Sequence, residues 1–142
     1  MKNIHATAVE IDKNGILIIG ASGSGKSDLA LRLIENKGAT LVADDRVDLD
    51  VEGDKLFGIC PKALESLLEV RGIGVIKKPF TVKVQIKLVV TAAEKQEIER
   101  MPENTFFNQD GVKVECVLLD LLEPSAPDKV VVKLKAVLEQ DL

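Results

Sequence analysis

The residues with the clearest chemistry occupy positions 20–27, where Gly20-Ala21-Ser22-Gly23-Ser24-Gly25-Lys26-Ser27 matches G-x-x-x-x-G-K-[ST] in full. Glycines at these positions let backbone N–H groups turn inward around phosphate oxygens, and a helix beginning at the end of the loop adds partial positive charge. Lys26 has the reach to contact β- and γ-phosphates, and the Ser27 hydroxyl is a ligand for Mg²⁺. All eight residues are therefore expected to bind ATP with Mg²⁺. A second chemical element is the acidic pair Asp44-Asp45. Adjacent side chains leaving a strand point to opposite faces, so the two carboxylates are expected to do different jobs. One would hold Mg²⁺ or its waters, and the other would take a proton from an attacking hydroxyl.

These residues need a scaffold. Residues 4–11 alternate in polarity and read as a strand, with Asn14-Gly15 as the hairpin turn that follows. The apolar run Gly15–Ile19 fits a strand buried on both faces. A helix is expected from Lys26 to Lys37, with Leu29, Ala30, Leu33 and Ile34 on one face and Gly38 as its C-terminal glycine. Leu41–Ala43 forms another short strand that ends in the acidic pair. Strand, helix, strand is a crossover unit, so the two strands run parallel and the carboxylates emerge beside the glycine-rich loop.

Further along, Val82, Val84, Ile86, Leu88 and Val90 alternate with polar residues, as in an antiparallel strand with one wet face. Thr91 and Glu94 frame a capping box for a short helix ending before Pro102. Val112–Leu119 alternates again, and the tail from Ala126 fits either a helix or a β-branched strand. With neither repeats nor linkers, residues 1–142 read as one α/β domain with a mixed sheet.

Composition excludes several functions. Nineteen Lys+Arg against twenty-three Asp+Glu give a net charge of −4, which disfavours nucleic acid or anionic membrane as a partner. An aromatic content of 3%, without Trp or Tyr, leaves no base-stacking platform. Cys60 and Cys116 are isolated within apolar runs and read as buried thiols. The start of the chain has no signal-peptide core and no apolar run spans a bilayer, so a cytoplasmic location is expected.

Ile4-His5, the Gly20–Ser27 loop, Leu41-Val-Ala-Asp-Asp-Arg-Val47 and Leu68-Glu-Val-Arg-Gly-Ile-Gly-Val75 together resemble the catalytic domain of HPr kinase/phosphorylase. The likeness runs from His5 to about Glu103 and weakens afterwards. It implies a fold similar to the nucleotide-binding part of phosphoenolpyruvate carboxykinases. The implied activity is ATP-dependent phosphorylation of a serine on the phosphocarrier protein HPr, regulating the phosphotransferase system and carbon metabolism. It also implies a homo-oligomer, a hexamer in related enzymes. Position by position, the resemblance makes His5 the active-site histidine, Lys26 the loop lysine and Ser27 a metal-binding serine. Asp45 is the proton acceptor, Glu69 a metal ligand, with Asp44 on the metal side, and Arg100 the catalytic arginine.

The chain also departs from that pattern. Because the given sequence opens on the His5 strand, a single-domain form like those of some proteobacteria, without the family's usual N-terminal domain, is expected, and Ala6 replaces the glycine after the histidine. The family's basic loop, tied to phosphate removal, is replaced by Leu121–Lys129, which carries a single Lys. Weak phosphorylase activity is therefore expected. Two other readings of the loop itself are a small-molecule P-loop kinase and a nucleotide-binding regulatory module without catalysis.

Overall fold

A computed structural model of the chain describes residues 1–140. Strand β1 (Lys2–Ile11) turns into β2 (Asn14–Ile19), and helix α1 (Lys26–Lys37) leads to β3 (Thr40–Ala43). A hairpin of β4 (Arg46–Glu52) and β5 (Lys55–Ile59) follows, then a second of β6 (Leu67–Val70) and β7 (Gly74–Lys77). Strand β8 (Lys83–Ala92), strands β9 (Thr105–Gln109) and β10 (Val112–Leu119), and helix α2 (Ala126–Gln140) complete the order. The tail is thus a helix, with Val130, Leu134 and Val137 buried at its 3.6-residue spacing.

Two ten-residue strands organise the sheet. Through its first half β1 pairs with β4, and through its second half it lies between β2 and β3, antiparallel to all three. Strand β8 pairs with β5 at its start and then runs parallel to both β2 and β10. The pairings β1–β2–β8–β5–β4–β1 close a circuit. One core fills the circuit, with Leu17, Val47, Leu49, Leu56, Ile86 and Val89 among its members. A second core packs the opposite face against both helices, through Ile16, Ile18, Leu29, Leu33, Leu88 and Val130.

Several sequence expectations shift for local reasons. The β1–β2 turn sits at Asp12-Lys13, whose φ values of 49° and 67° are those of a two-residue primed turn. Gly15 lies inside β2, where a Cβ would come within 2.6 Å of the Gln85 carbonyl, so it serves close strand approach. Opposite it, β8 carries a bulge: Gly15 pairs with Ile86 but Ile16 pairs with Leu88. The extra residue moves the alternation by one, sending Ile86 to one core and Leu88 to the other. The wet face expected along 82–90 therefore ends at Lys87. Leu88, Val89 and Val90 are all fully buried, and this half of β8 is a strand of parallel pairings rather than a half-exposed antiparallel one.

The expected helix at 91–101 is a single 3₁₀ turn at Lys95–Glu97, and its capping box joins Glu94 and Glu97 because β8 runs on through Ala92. Strands β2 and β3 do run in the same direction, but β1 lies between them. Cys60 is buried, and burial pushes its thiol up to about 11, whereas Cys116 is only half-buried.

Because Leu88 sits fully buried on the strand shared by both cores, Leu88→Ala should cost about 2–5 kcal/mol. Urea unfolding measures this directly, and a loss below about 1 kcal/mol would contradict the packing described.

Candidate active site

Strand β2 delivers the chain at Ile19 into the loop 20–25, and α1 starts at Lys26. Two loop glycines take left-handed conformations, Gly23 at φ 82° and Gly25 at φ 103°. A Cβ on Gly25 would also meet Leu122 Cδ2 at 2.7 Å. That contact is held from α1, where Arg32 donates to the backbone carbonyls of Leu121 and Glu123 while pairing with Asp28 at 3.0 Å. Lys26 is buried, and its Nζ donates to the carbonyls of Gly20 (2.8 Å) and Ala21 (3.0 Å). Two of its three N–H groups are thereby used, leaving one for a ligand. Burial pushes the Lys26 ammonium below its ordinary pKa, an effect that the carboxylates of Asp44 and Asp45 partly offset.

The acidic pair divides as its geometry requires. Asp44 is 5% exposed, and its carboxylate accepts three hydrogen bonds. Ser27 Oγ donates to Oδ1 at 2.7 Å, Thr7 Oγ1 to the same oxygen at 2.8 Å, and the Glu69 backbone N–H to Oδ2 at 3.0 Å. Asp45 instead adopts φ 74°, a left-handed conformation that Asp tolerates, and its side chain is 66% exposed. The Asp45 carbonyl accepts from the Ala6 N–H and from His5 Nδ1 at 3.0 Å, and His5 Nδ1 also lies 3.4 Å from Asp45 Oδ1. Both neighbours of Nδ1 are acceptors, which assigns the ring proton to Nδ1 and leaves Nε2 free to accept in the neutral ring.

His5, Ser22, Gly23, Gly25, Lys26, Ser27, Asp44, Asp45 and Glu69 all line one cavity of about 350 Å³. The β6–β7 hairpin brings Glu69, Val70 and Arg71 to its rim, its bend made by Gly72 and Gly74 at φ 86° and 120°. Ala21 and Ser24 face a separate hollow across the loop. Arg100 is exposed in the segment before β9 and is not among the residues lining the cavity.

Sequence reasoning missed Thr7, Arg32 and Leu122. Thr7 had a legible signal, since it lies two residues from His5 on the same strand face. The others depend on long-range packing.

The loop fits a nucleotide's phosphates: it is open at Gly23, where a Cβ would meet nothing, and Ser24 Oγ is buried without a hydrogen-bond partner. Ser27, Asp44 and Glu69 are hard oxygen donors of the kind Mg²⁺ takes. Among the described residues no three His, Cys, Asp or Glu side chains converge to hold a metal by themselves, so phosphate oxygens and water would complete the shell.

A mixed α/β sheet with a glycine-rich loop opening its first helix, beside an acidic pair, is the arrangement of a P-loop α/β domain. The chain belongs to the family described as the HPr serine kinase C-terminal domain, whose family model matches residues 1–134. It is similar to an HPr kinase/phosphorylase of Lactobacillus johnsonii, 53% identical over 76 residues, covering 53% of this chain and 24% of that protein. It is also similar to an HPr kinase/phosphorylase of Cupriavidus necator, 40% identical over 129 residues, 83% of this chain and 40% of the relative. The chain thus spans less than half the length of these relatives. Among solved structures, the HPr(Ser) kinase/phosphatase of Coxiella burnetii superposes with a TM-score of 0.78 at 27% identity, over 95% of this chain and 99% of that one. No helix of the described residues is long and apolar enough to cross a membrane.

Thr7→Val removes one donor from a buried carboxylate while keeping the side chain's size. It should cost about 1–3 kcal/mol in urea unfolding, whereas Thr7→Ser should keep most of the stability. Equal stability of Thr7→Val and the unsubstituted chain would show that this hydroxyl does not hold Asp44.

Proposed function

We propose that the chain is an ATP-dependent kinase domain, residues 1–142 acting together, that phosphorylates a serine of an HPr-type phosphocarrier protein in the cytoplasm as a homo-oligomer. The observation that carries this reading is the contrast between the two aspartates. Asp44 is buried and bonded to Ser27, while Asp45 is open to the same cavity beside His5.

The loop N–H groups and Lys26 bind the phosphates of ATP, and the family resemblance assigns Lys26 to the transferring group. Ser27, Asp44 and Glu69 would hold Mg²⁺, which when bound neutralises charge on the β- and γ-phosphates. Asp44 already has three donors, so it acts mainly by fixing Ser27 and the hairpin backbone. Asp45 takes the proton from the incoming serine hydroxyl as the oxygen attacks phosphorus. His5 holds the Asp45 backbone through Nδ1 and so positions that carboxylate. Besides Lys26, Arg71 lines the cavity and can meet the charge of the transferring group; Arg100, assigned by resemblance, would have to reach it from outside the lining.

The test supplies labelled ATP with Mg²⁺ to the chain, together with a purified HPr-type protein or a panel of small metabolites. Label should appear on the phosphocarrier; label on a metabolite or on nothing would overturn the reading. Lys26→Ala should abolish transfer and weaken MgATP binding. Asp45→Asn should lower kcat by about 10²–10⁴-fold while nucleotide affinity stays nearly unchanged. If Asp44→Asn gives that signature instead, the roles are reversed.

Phosphate removal should be much slower than transfer. Inorganic phosphate attacking a phosphoserine brings two anions together, a repulsion of about 4 kcal/mol per charge product at 4 Å and an effective dielectric near 20. In the segment replacing the family's basic loop, Lys129 is paired with Glu123, whose carboxyl that hydrogen bond holds below its ordinary range. Pyrophosphate release from phosphorylated carrier and excess phosphate, at a rate matching the forward reaction, would contradict this.

A further inference from the structure

Arg32 is not among the residues lining the cavity, yet its guanidinium ties two parts of the cavity wall together. Its Nε donates to Asp28 Oδ2 at 3.0 Å, and Asp28 lines the cavity from the first turn of α1. Nη1 donates to the Glu123 carbonyl at 3.0 Å and Nη2 to the Leu121 carbonyl, so the guanidinium grips the backbone on either side of Leu122. Leu122, itself part of the lining, rests against Gly25, the residue from which α1 begins. The segment is also braced from within. Asp120 Oδ1 accepts from the Leu122 N–H at 3.2 Å, and the Asp120 carbonyl accepts from the Glu123 N–H at 3.2 Å. Leu122 is nonetheless 58% exposed, so burial of its own side chain contributes little to holding it there.

We propose that Arg32 is a positioning residue for nucleotide binding, holding Gly25 in its phosphate-binding conformation through Leu122. The inference rests on the nucleotide reading above and names what keeps the loop formed before the ligand arrives. Gly25 has φ 103°, a conformation that glycine leaves as easily as it enters. Its carbonyl accepts the first bond of α1, from the Leu29 N–H at 2.9 Å, and its peptide joins directly to Lys26. A wall against Gly25 removes alternative conformations. A larger fraction of molecules is then ready to bind, and the apparent affinity rises in proportion. The side chain has to be a guanidinium. Its planar fork sends donors to a carboxylate and two carbonyls at once, whereas an ammonium is a single point on a flexible stem. Bound phosphate itself restores the loop, so Arg32 acts on affinity and not on the transfer step.

Calorimetry on Arg32→Lys should show MgATP and magnesium tripolyphosphate both weakened by about tenfold, since the effect lies in the loop. In the transfer assay with an HPr-type acceptor, KM for ATP should rise by a similar factor while kcat stays within about twofold. Leu122→Ala, at an exposed side chain, should give the same losses, and Leu122→Met should bind normally. The double variant Arg32→Lys/Leu122→Ala should bind no more weakly than either single one. Losses that multiply in the double variant would show that the two residues act separately and would overturn the inference. Reduced urea stability of Arg32→Lys with unchanged affinity would make the residue merely structural and overturn it too. Should Arg32→Lys fail to fold, Leu122→Ala decides alone: normal MgATP binding by that variant contradicts the inference while the nucleotide reading stands. If the unsubstituted chain binds neither MgATP nor tripolyphosphate, the nucleotide reading fails and this inference falls with it.

Discussion

A carboxylate held out of water is costly unless donors replace its hydration, and Asp44 meets that requirement with three partners from three separate elements. Thr7 comes from β1, Ser27 from the first turn of α1 and the Glu69 N–H from the β6–β7 hairpin. Satisfying one buried charge therefore sets the distance between the glycine-rich loop, the histidine strand and the hairpin that carries Glu69 and Arg71. The same bonds leave Asp45, the next residue, with no choice but to turn outward. Its left-handed backbone conformation is the local cost of that turn, and the bonds to its carbonyl from Ala6 and His5 stabilise it.

The wider architecture serves this arrangement. Between β2 and β3 lies β1, so the strand carrying His5 and Thr7 passes directly beside both the loop strand and the strand of the acidic pair. Residues Ala6, Thr7 and Ala8 are all fully buried there, and their small side chains suit a strand flanked on both edges and packed within a core. On the other side of β2, the parallel strands β8 and β10 bring their C-terminal loops to the same edge. Arg32 then anchors the Leu121–Glu123 segment to α1, placing Leu122 against Gly25.

Much of the site was legible because its signals are local. The loop motif, the helix Lys26–Lys37 with its left-handed Gly38, and the divergence of Asp44 from Asp45 follow from spacing and backbone rules. What escaped depends on partners distant in sequence. Asn14-Gly15 resembles a hairpin turn, yet the glycine is needed where β2 meets Gln85 of β8, far along the chain. The alternation through Ile86 and Leu88 looks unbroken because a bulge leaves no trace in polarity. Thr91 and Glu94 satisfy the spacing of a capping box, but parallel pairing with β2 and β10 keeps Thr91 in the strand. Thr7 is the exception: its place two residues from His5 on the same strand face was a usable signal.

The central claim is that this site passes the γ-phosphoryl group from ATP directly to a serine oxygen, with Asp45 taking the proton and no residue of the chain phosphorylated on the way. The stereochemical course at phosphorus tests it most directly, using ATP made chiral at the γ-phosphorus and a serine-bearing HPr-type acceptor. A single in-line displacement inverts the configuration. Inversion at the product phosphoserine is the result this account predicts; retention would reveal two displacements through a phosphorylated side chain, such as His5 beside Asp45, and would contradict it.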